Sequence, residues 1–320
     1  MFVNRFRYRK GVRLRYVVRF GGGLGDIFIF LYWHQLYNSL PLFQQLGRLD
    51  ALVSCSNPAA QSVLESLRIF DYIEYRDWSV GNPMDEWEAE YIQPLAPGAI
   101  SLYHAGVDAY PDLQQTSFDL GNMYHHKYHL SAQEELAFDR LQHLNYIVVH
   151  PSGGLQAVDG LSRVQYGHLI KKLLQEFPTY YVVAVGASHS RVWVEDVKGC
   201  YVESDLEVED ERFIDMTNKA SGALSANIVE NGSAFVGTHS AWINMFWFFR
   251  KPTVCVYSYG SHWGDWKGYQ LTNGCNWGFY LPWSKAVPVK ADDQFGQIGD
   301  LVVEYLRGFF KYGGLDELKV

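Results

Sequence analysis

Short, densely apolar runs alternate along this chain with longer amphipathic stretches of helical period, and the alternation occurs twice. Residues 14–20, rich in Val, Tyr and Phe, read as a strand that runs into Gly21-Gly22-Gly23-Leu24-Gly25-Asp26 and then an apolar helix over about 27–38. Residues 51–55 read as a second strand, followed after Asn57-Pro58 by a helix to about 67. Residues 69–75 and 99–103 read as two further strands, and the stretches 77–97 and 105–125 keep neither period and read as irregular excursions. After a helix near 131–142 the pattern restarts with the buried-type run Tyr146-Ile147-Val148-Val149-His150. A helix over 163–177, a strand over 180–185, a short strand near 200–203 and a helix over 220–230 follow. Ala234-Phe235-Val236-Gly237 is the next strand, then a helix over 238–249, a strand over 253–257 and a terminal helix over 295–310.

Strands separated by single helices imply parallel sheets covered on both faces. Two such runs predict an α/β protein of two Rossmann-like domains, residues 1–142 and 143–320. A length of 320 residues suits two domains. With 48% hydrophobic and 19% charged residues, wholesale disorder, a coiled coil and a collagen-like chain are excluded. The densest apolar run, 241–249, is far short of a membrane span and carries Asn244. Arginines interrupt every apolar stretch at the N-terminus, so no secretory leader is expected. Four cysteines, widely spaced and without a CxxC pair, fit buried thiols of a reducing compartment. A cytoplasmic protein is the expectation.

Charge adds one feature. Arg5, Arg7, Arg9, Lys10, Arg13, Arg15 and Arg19 crowd the first 19 residues with no acid among them, while the remainder keeps 20 basic groups against all 35 acidic ones. A basic arm on an acidic body suits a polyanionic partner, and Arg5, Arg7, Arg9 and Lys10 are its candidate contacts. The competing reading is a solubilising tail or a charge-protected edge strand.

Three strand ends carry candidate chemistry. In the first, Gly22, Gly23 and Gly25 precede a helix, where backbone amides can approach a ligand at the positive helix end. Asp26 occupies the third slot of a dinucleotide fingerprint, no acid closes the second strand, and no Gly-Lys-Ser/Thr follows, so neither an NAD site nor an ATPase P-loop is indicated. Asp26 is either the N-cap of that helix or a general base. The second strand end, His150-Pro151-Ser152-Gly153-Gly154, offers amides and a hydroxyl at the carboxyl edge of a sheet, with Arg163 beyond it as a fixed charge. The third, Gly237-Thr238-His239-Ser240, again puts hydroxyl-bearing residues at a helix start, suited to a phosphate leaving group.

In this order the motifs resemble the ADP-heptose:lipopolysaccharide heptosyltransferase family of the GT-B glycosyltransferases. Four anchors carry the resemblance: Arg19 through Asp26, the strand ending in His150 with Arg163 and Tyr166 beyond it, Asp215-Met216-Thr217-Asn218-Lys219, and Gly237 through Tyr257 with its Lys251-Pro252-Thr253. His239, Ala241 and Asn244 depart from the Asp, Gly and His of the family's pattern, which puts the donor sugar or base in question. The glycine-rich start also resembles that of bacterial fucosyltransferases, another GT-B group.

The resemblance implies a GT-B fold with parallel sheets facing across a cleft and a terminal helix that crosses back onto the first domain. It also implies a metal-independent inverting transfer from a nucleoside-diphosphate sugar to an acceptor hydroxyl. Asp26 would be the general base, and Ser152, Gly153, Gly154, Arg163, Thr238, His239 and Ser240 would bind the diphosphate. Thr217, Asn218 and Lys219 would contact the nucleotide. No cofactor or metal is expected, and the acceptor would be a polyanion, a phosphorylated saccharide or DNA. Two alternatives remain at this stage: a transferase that modifies bases of nucleic acid, and a non-catalytic sugar- or nucleotide-binding module. The tract Tyr124-His125-His126-Lys127-Tyr128-His129 lacks an Asp or Cys partner and reads as interdomain or acceptor-side rather than metal-binding. The acidic residues 205–211 lack an apolar-flanked Asp-x-Asp and read as a solvated loop.

Overall fold

In the computed structural model, the described residues are 14–20, 24, 25, 27, 28, 31, 46–53, 58–76, 99–103, 125–151, 161, 163–186, 206–237, 240–249, 251–258, 283–289 and 295–311. Four strands form the first sheet: β1 (Leu14–Phe20), β2 (Leu46–Val53), β3 (Tyr72–Tyr75) and β4 (Ala99–Tyr103). All pair in parallel, in the order β3-β2-β1-β4. Helix α1 (Pro58–Leu67) makes the crossover from β2 to β3.

Six strands form the second sheet: β5 (Tyr146–His150), β6 (Tyr181–Ala184), β7 (Phe213–Asp215), β8 (Ala234–Gly237), β9 (Thr253–Ser258) and β10 (Ser284–Val289). Their order is β10-β9-β8-β5-β6-β7, again parallel throughout. Helices α2 (Ala132–Leu141), α3 (Arg163–Glu176), α4 (Gly222–Asn231), α5 (Ala241–Phe248) and α6 (Phe295–Lys311) complete the described elements. Strand order reverses at β1 in one sheet and at β5 in the other. Ligands of open α/β sheets bind at such switch points, outside the carboxyl ends of the strands.

Every residue of β5 is buried, as expected for a strand covered on both faces. Its alternation divides the interior. Tyr146 and Val148 join a cluster with Phe235, Trp242 and Phe246 that also contains Leu24, Phe28, Ala51 and Val63 from the first layer. Ile147 and Val149 join a second cluster, built with α3 and α6. The first cluster therefore holds the two sheets together. Helices α1 and α4 meet within it so closely that a Cβ on Gly222 would lie 2.1 Å from the Ala59 carbonyl oxygen, and the Ala223 N–H donates to Ser62 Oγ at 3.1 Å. Only glycine permits that approach.

Helix ends follow local chemistry. Ser131 and Glu134 form a capping box at α2, and Ser221 Oγ accepts the Leu224 N–H at the start of α4. Two elements differ from the sequence expectation. Residues 200–203 lie outside the described residues, and the edge strand is β7, only three residues long. Strand β10 was not foreseen, because Pro288 argues against a strand; it is tolerated since β10 is the other edge. Along its described length the terminal helix α6 packs against α3 and β10. There Lys172 pairs with Asp300 and Arg307 with Glu176 across α3 and α6. No helix among the described residues is long and apolar enough to cross a membrane.

Candidate functional site

At the switch point of the second sheet, β5 and β8 end side by side with His150 opposite Gly237. A Cβ on Gly237 would stand 2.8 Å from the His150 carbonyl oxygen, 3.0 Å from its Cβ and 3.1 Å from the Phe235 ring, so this strand end also requires glycine. His150 is 5% exposed, and burial keeps its imidazole neutral by drawing the pKa down to about 3. Its Nδ1 has no hydrogen-bond partner among the described residues. Three residues beyond Gly237, the Ser240 carbonyl accepts the Ile243 N–H at 3.2 Å and opens α5, while Ser240 Oγ is buried and unpartnered.

A tight turn after β7 supplies the third group. The Thr217 N–H donates to Asp215 Oδ1 at 2.9 Å, and Asn218, at φ 59°, occupies the left-handed region that asparagine tolerates. The Asn218 N–H donates to the Gly186 carbonyl at 2.9 Å, which fastens this turn to the end of β6. Lys219 Nζ donates to the Asp215 carbonyl at 2.9 Å. Thr217 Oγ1 is buried without a partner among the described residues. Leaving a buried polar atom unbonded costs about 1–3 kcal/mol, and native proteins keep few of them. Here three lie along one carboxyl edge.

The first sheet contributes the segment behind its own switch point. Leu24, Gly25, Ile27, Phe28 and Leu31 are helical, and all but Gly25 are buried. Phe28 meets Trp242 of α5, so the segment following the first glycine-rich loop packs on the helix that Ser240 opens. Of the candidate residues, Gly25, Thr217, Asn218, Lys219 and Ser240 are described. Arg163 begins α3, but its side chain lies outside the described residues, as do Asp26, Gly22, Gly23, Ser152, Gly153, Gly154, Thr238, His239 and the arm residues Arg5, Arg7, Arg9 and Lys10.

The histidine tract has a definite place. Glu230, fully buried at the end of α4, accepts the His126 N–H at 2.9 Å, His126 Nδ1 at 2.8 Å and the Tyr128 hydroxyl at 2.8 Å. A carboxylate only accepts, so the His126 tautomer carries its proton on Nδ1. Lys251 Nζ donates to the Glu230 carbonyl at 2.7 Å, and the His129 N–H donates to the Ser66 carbonyl of α1 at 3.0 Å. Residues 125–130 thus form a strap tied to one helix of each layer. Among the described residues no three His, Cys, Asp or Glu side chains are grouped to hold a metal. In the acidic stretch, Asp210 is engaged by the Arg212 guanidinium at 2.8 Å, closing a turn.

The sequence marks the strand end at His150 but singles out neither its imidazole nor Glu230. Each sits in an apolar element, and their surroundings come from segments distant along the chain.

No family model matches the sequence, and no curated protein matches it. Solved structures do. The chain superposes on the ADP-heptose LPS heptosyltransferase II of E. coli with a TM-score of 0.56 at 11% identity, covering 94% of this chain and 99% of that one. It superposes on a family 9 glycosyl transferase from Veillonella parvula with a TM-score of 0.50 at 14% identity, covering 95% and 90%. At such identities the likeness speaks to architecture alone: this chain has the GT-B fold.

Proposed function

We propose that this protein is a metal-independent, inverting glycosyltransferase that moves a sugar from a nucleoside-diphosphate sugar to an acceptor hydroxyl. The observation that carries the reading is the row of unpartnered buried groups, His150 Nδ1, Thr217 Oγ1 and Ser240 Oγ, along the carboxyl edge of the second sheet. In an open α/β sheet that edge is where a nucleotide is held. In this reading the donor binds residues 143–320 and the acceptor residues 1–142. The acceptor oxygen forms a bond to the anomeric carbon, the bond from that carbon to the diphosphate oxygen breaks, and the hydroxyl proton passes to Asp26.

Charge on the departing diphosphate is met by the amides of Ser152, Gly153 and Gly154, by Arg163, and by the start of α5 with Thr238, His239 and Ser240. Thr217, Asn218 and Lys219 contact the nucleotide. No cofactor takes part. ADP-heptose is a natural first donor to try, given the heptosyltransferase likeness, with GDP- and UDP-sugars beside it because His239, Ala241 and Asn244 depart from that family's pattern.

The experiment is a release assay: each donor is incubated with phosphorylated saccharide or duplex DNA as acceptor, with and without EDTA. The expected result is acceptor-dependent release of one nucleoside diphosphate, largely unaffected by EDTA. No release from any donor overturns the reading. Loss of activity in EDTA that is restored by manganese overturns its metal-independent part.

A further inference from the structure

We infer that His150 is a donor-binding residue of this chain, its Nδ1–H giving a neutral hydrogen bond to a diphosphate oxygen of the nucleotide sugar. The inference rests on the glycosyl-transfer reading above and adds to it a contact made by a strand residue rather than by a loop.

Position comes first. His150 ends the central strand at the switch point and shares its face with Tyr146 and Val148, since alternate strand residues point the same way. That face is the one on which α5 and the Phe28 segment pack, because Tyr146, Val148, Trp242 and Phe28 belong to one cluster. A ligand held at the start of α5 therefore lies on His150's side of the sheet.

Satisfaction comes second. Tyr146, on the same face, donates its hydroxyl to the Ile228 carbonyl at 2.7 Å, as a buried polar group with a structural purpose does. His150 is buried as well, yet among the described residues its Nδ1 has no hydrogen-bond partner. A buried donor left open in the free protein stores a cost that a ligand can remove.

Charge state decides the chemistry. An imidazole buried this deeply stays neutral at physiological pH, so it neither takes the acceptor's proton nor contributes a full positive charge. What remains is a fixed neutral donor, like a backbone amide, beside the positive end of α5. The diphosphate is the part of a nucleotide sugar that such a donor serves, and no proton need move for it to act.

The test uses the full chain and two variants. Asparagine places its amide N–H where the imidazole Nδ1–H lies, whereas leucine fills similar space without a donor. Calorimetric titrations with ADP, GDP and UDP, each paired with its nucleoside, give the affinities, and ligand-free thermal unfolding reports the fold. For the diphosphate that wild type binds best, His150→Leu should raise Kd about tenfold, leave Kd for the matching nucleoside unchanged, and hold or raise the ligand-free Tm by about 2–4 °C. His150→Asn should restore most of the diphosphate affinity. An unchanged diphosphate Kd in His150→Leu, with wild type binding well, overturns this inference alone. So does a lowered ligand-free Tm or failure to fold in His150→Leu, because either outcome marks a structural histidine. A wild type that binds none of the three diphosphates overturns both this inference and the reading on which it rests.

Discussion

Phe28 and Trp242, one from the segment behind the first glycine-rich loop and one from the first turn of α5, meet with ring centroids 5.4 Å apart and planes inclined by 42°. Phe28 is fully buried and Trp242 is 6% exposed. The pair joins the segments that follow two candidate strand ends, the one after β1 and the one after β8. Their separation is set by packing, and packed aromatic contacts give little without shifting the backbone on both sides.

Truncating either ring should therefore lower stability and disturb the relation between the layers together. Phe28→Ala and Trp242→Ala should each cost about 3–5 kcal/mol. The double variant should be less destabilised than the sum by about 0.5–1.5 kcal/mol, the coupling of an aromatic pair. Urea denaturation of the four proteins measures this, and strict additivity would show that the rings do not act as a pair.

Asp26 is tested by removing its charge while keeping its shape. If it takes the acceptor's proton in the transition state, Asp26→Asn should lower kcat by about 10²–10⁴ and leave donor KM nearly unchanged. Turnover close to wild type would reduce Asp26 to the N-cap of the helix that follows it.

Lys251 carries a pH signature. Its ammonium donates to the Glu230 carbonyl and lies 5.7 Å and 6.0 Å from the centroids of the Phe249 and Phe246 rings. Burial lowers its pKa from 10.5 to about 8, with the Glu230 carboxylate opposing the shift. Between those values the unfolded chain holds a proton that the folded chain has released, so stability rises with pH from about 8 to 10.5. The gain is at most about 3 kcal/mol. Urea midpoints for wild type and Lys251→Met at pH 7.5, 9 and 10 isolate it: the rise seen in wild type should be missing from the variant.

The basic arm is tested by salt. Replacing Arg5, Arg7, Arg9 and Lys10 with Ser should weaken binding to duplex DNA or to a phosphorylated saccharide and leave donor affinity alone. On duplex DNA each lost phosphate contact should flatten the log–log salt slope by about 0.9. Unchanged binding of both acceptors at 50 and 200 mM salt would show an arm that serves solubility or edge protection.

Legibility followed how local each signal is. The run 146–150 reads as a strand from its continuous apolar character, and the structure places β5 over the same five residues. β2 begins at Leu46 rather than 51 because Arg48 and Asp50 interrupt the apolar pattern, although Asp50 is fully buried. β7 and β10 escaped the reading because one is three residues long and the other contains Pro288, and pairing with a neighbouring strand defines both. At the site, Thr217 was marked only through the resemblance that Asp215 to Lys219 carry, whereas Ser240 was visible as a small polar residue beyond a strand end. Glu230 was not, since a lone glutamate in an apolar helix reads as exposed, and its partners His126 and Tyr128 lie 104 and 102 residues away.

The cluster shared by Phe28, Val63, Val148 and Trp242, together with the contact of Gly222 on Ala59, bears on how the chain folds. The first cluster belongs to neither half alone. Expressed alone, residues 143–320 would present to water the apolar face that Leu24, Phe28, Val63 and Leu64 cover in the whole chain. Such a fragment should aggregate or remain molten. The intact protein should melt in one calorimetric transition, without the two steps of a pair of independent modules, because breaking either half removes the packing on which the other depends.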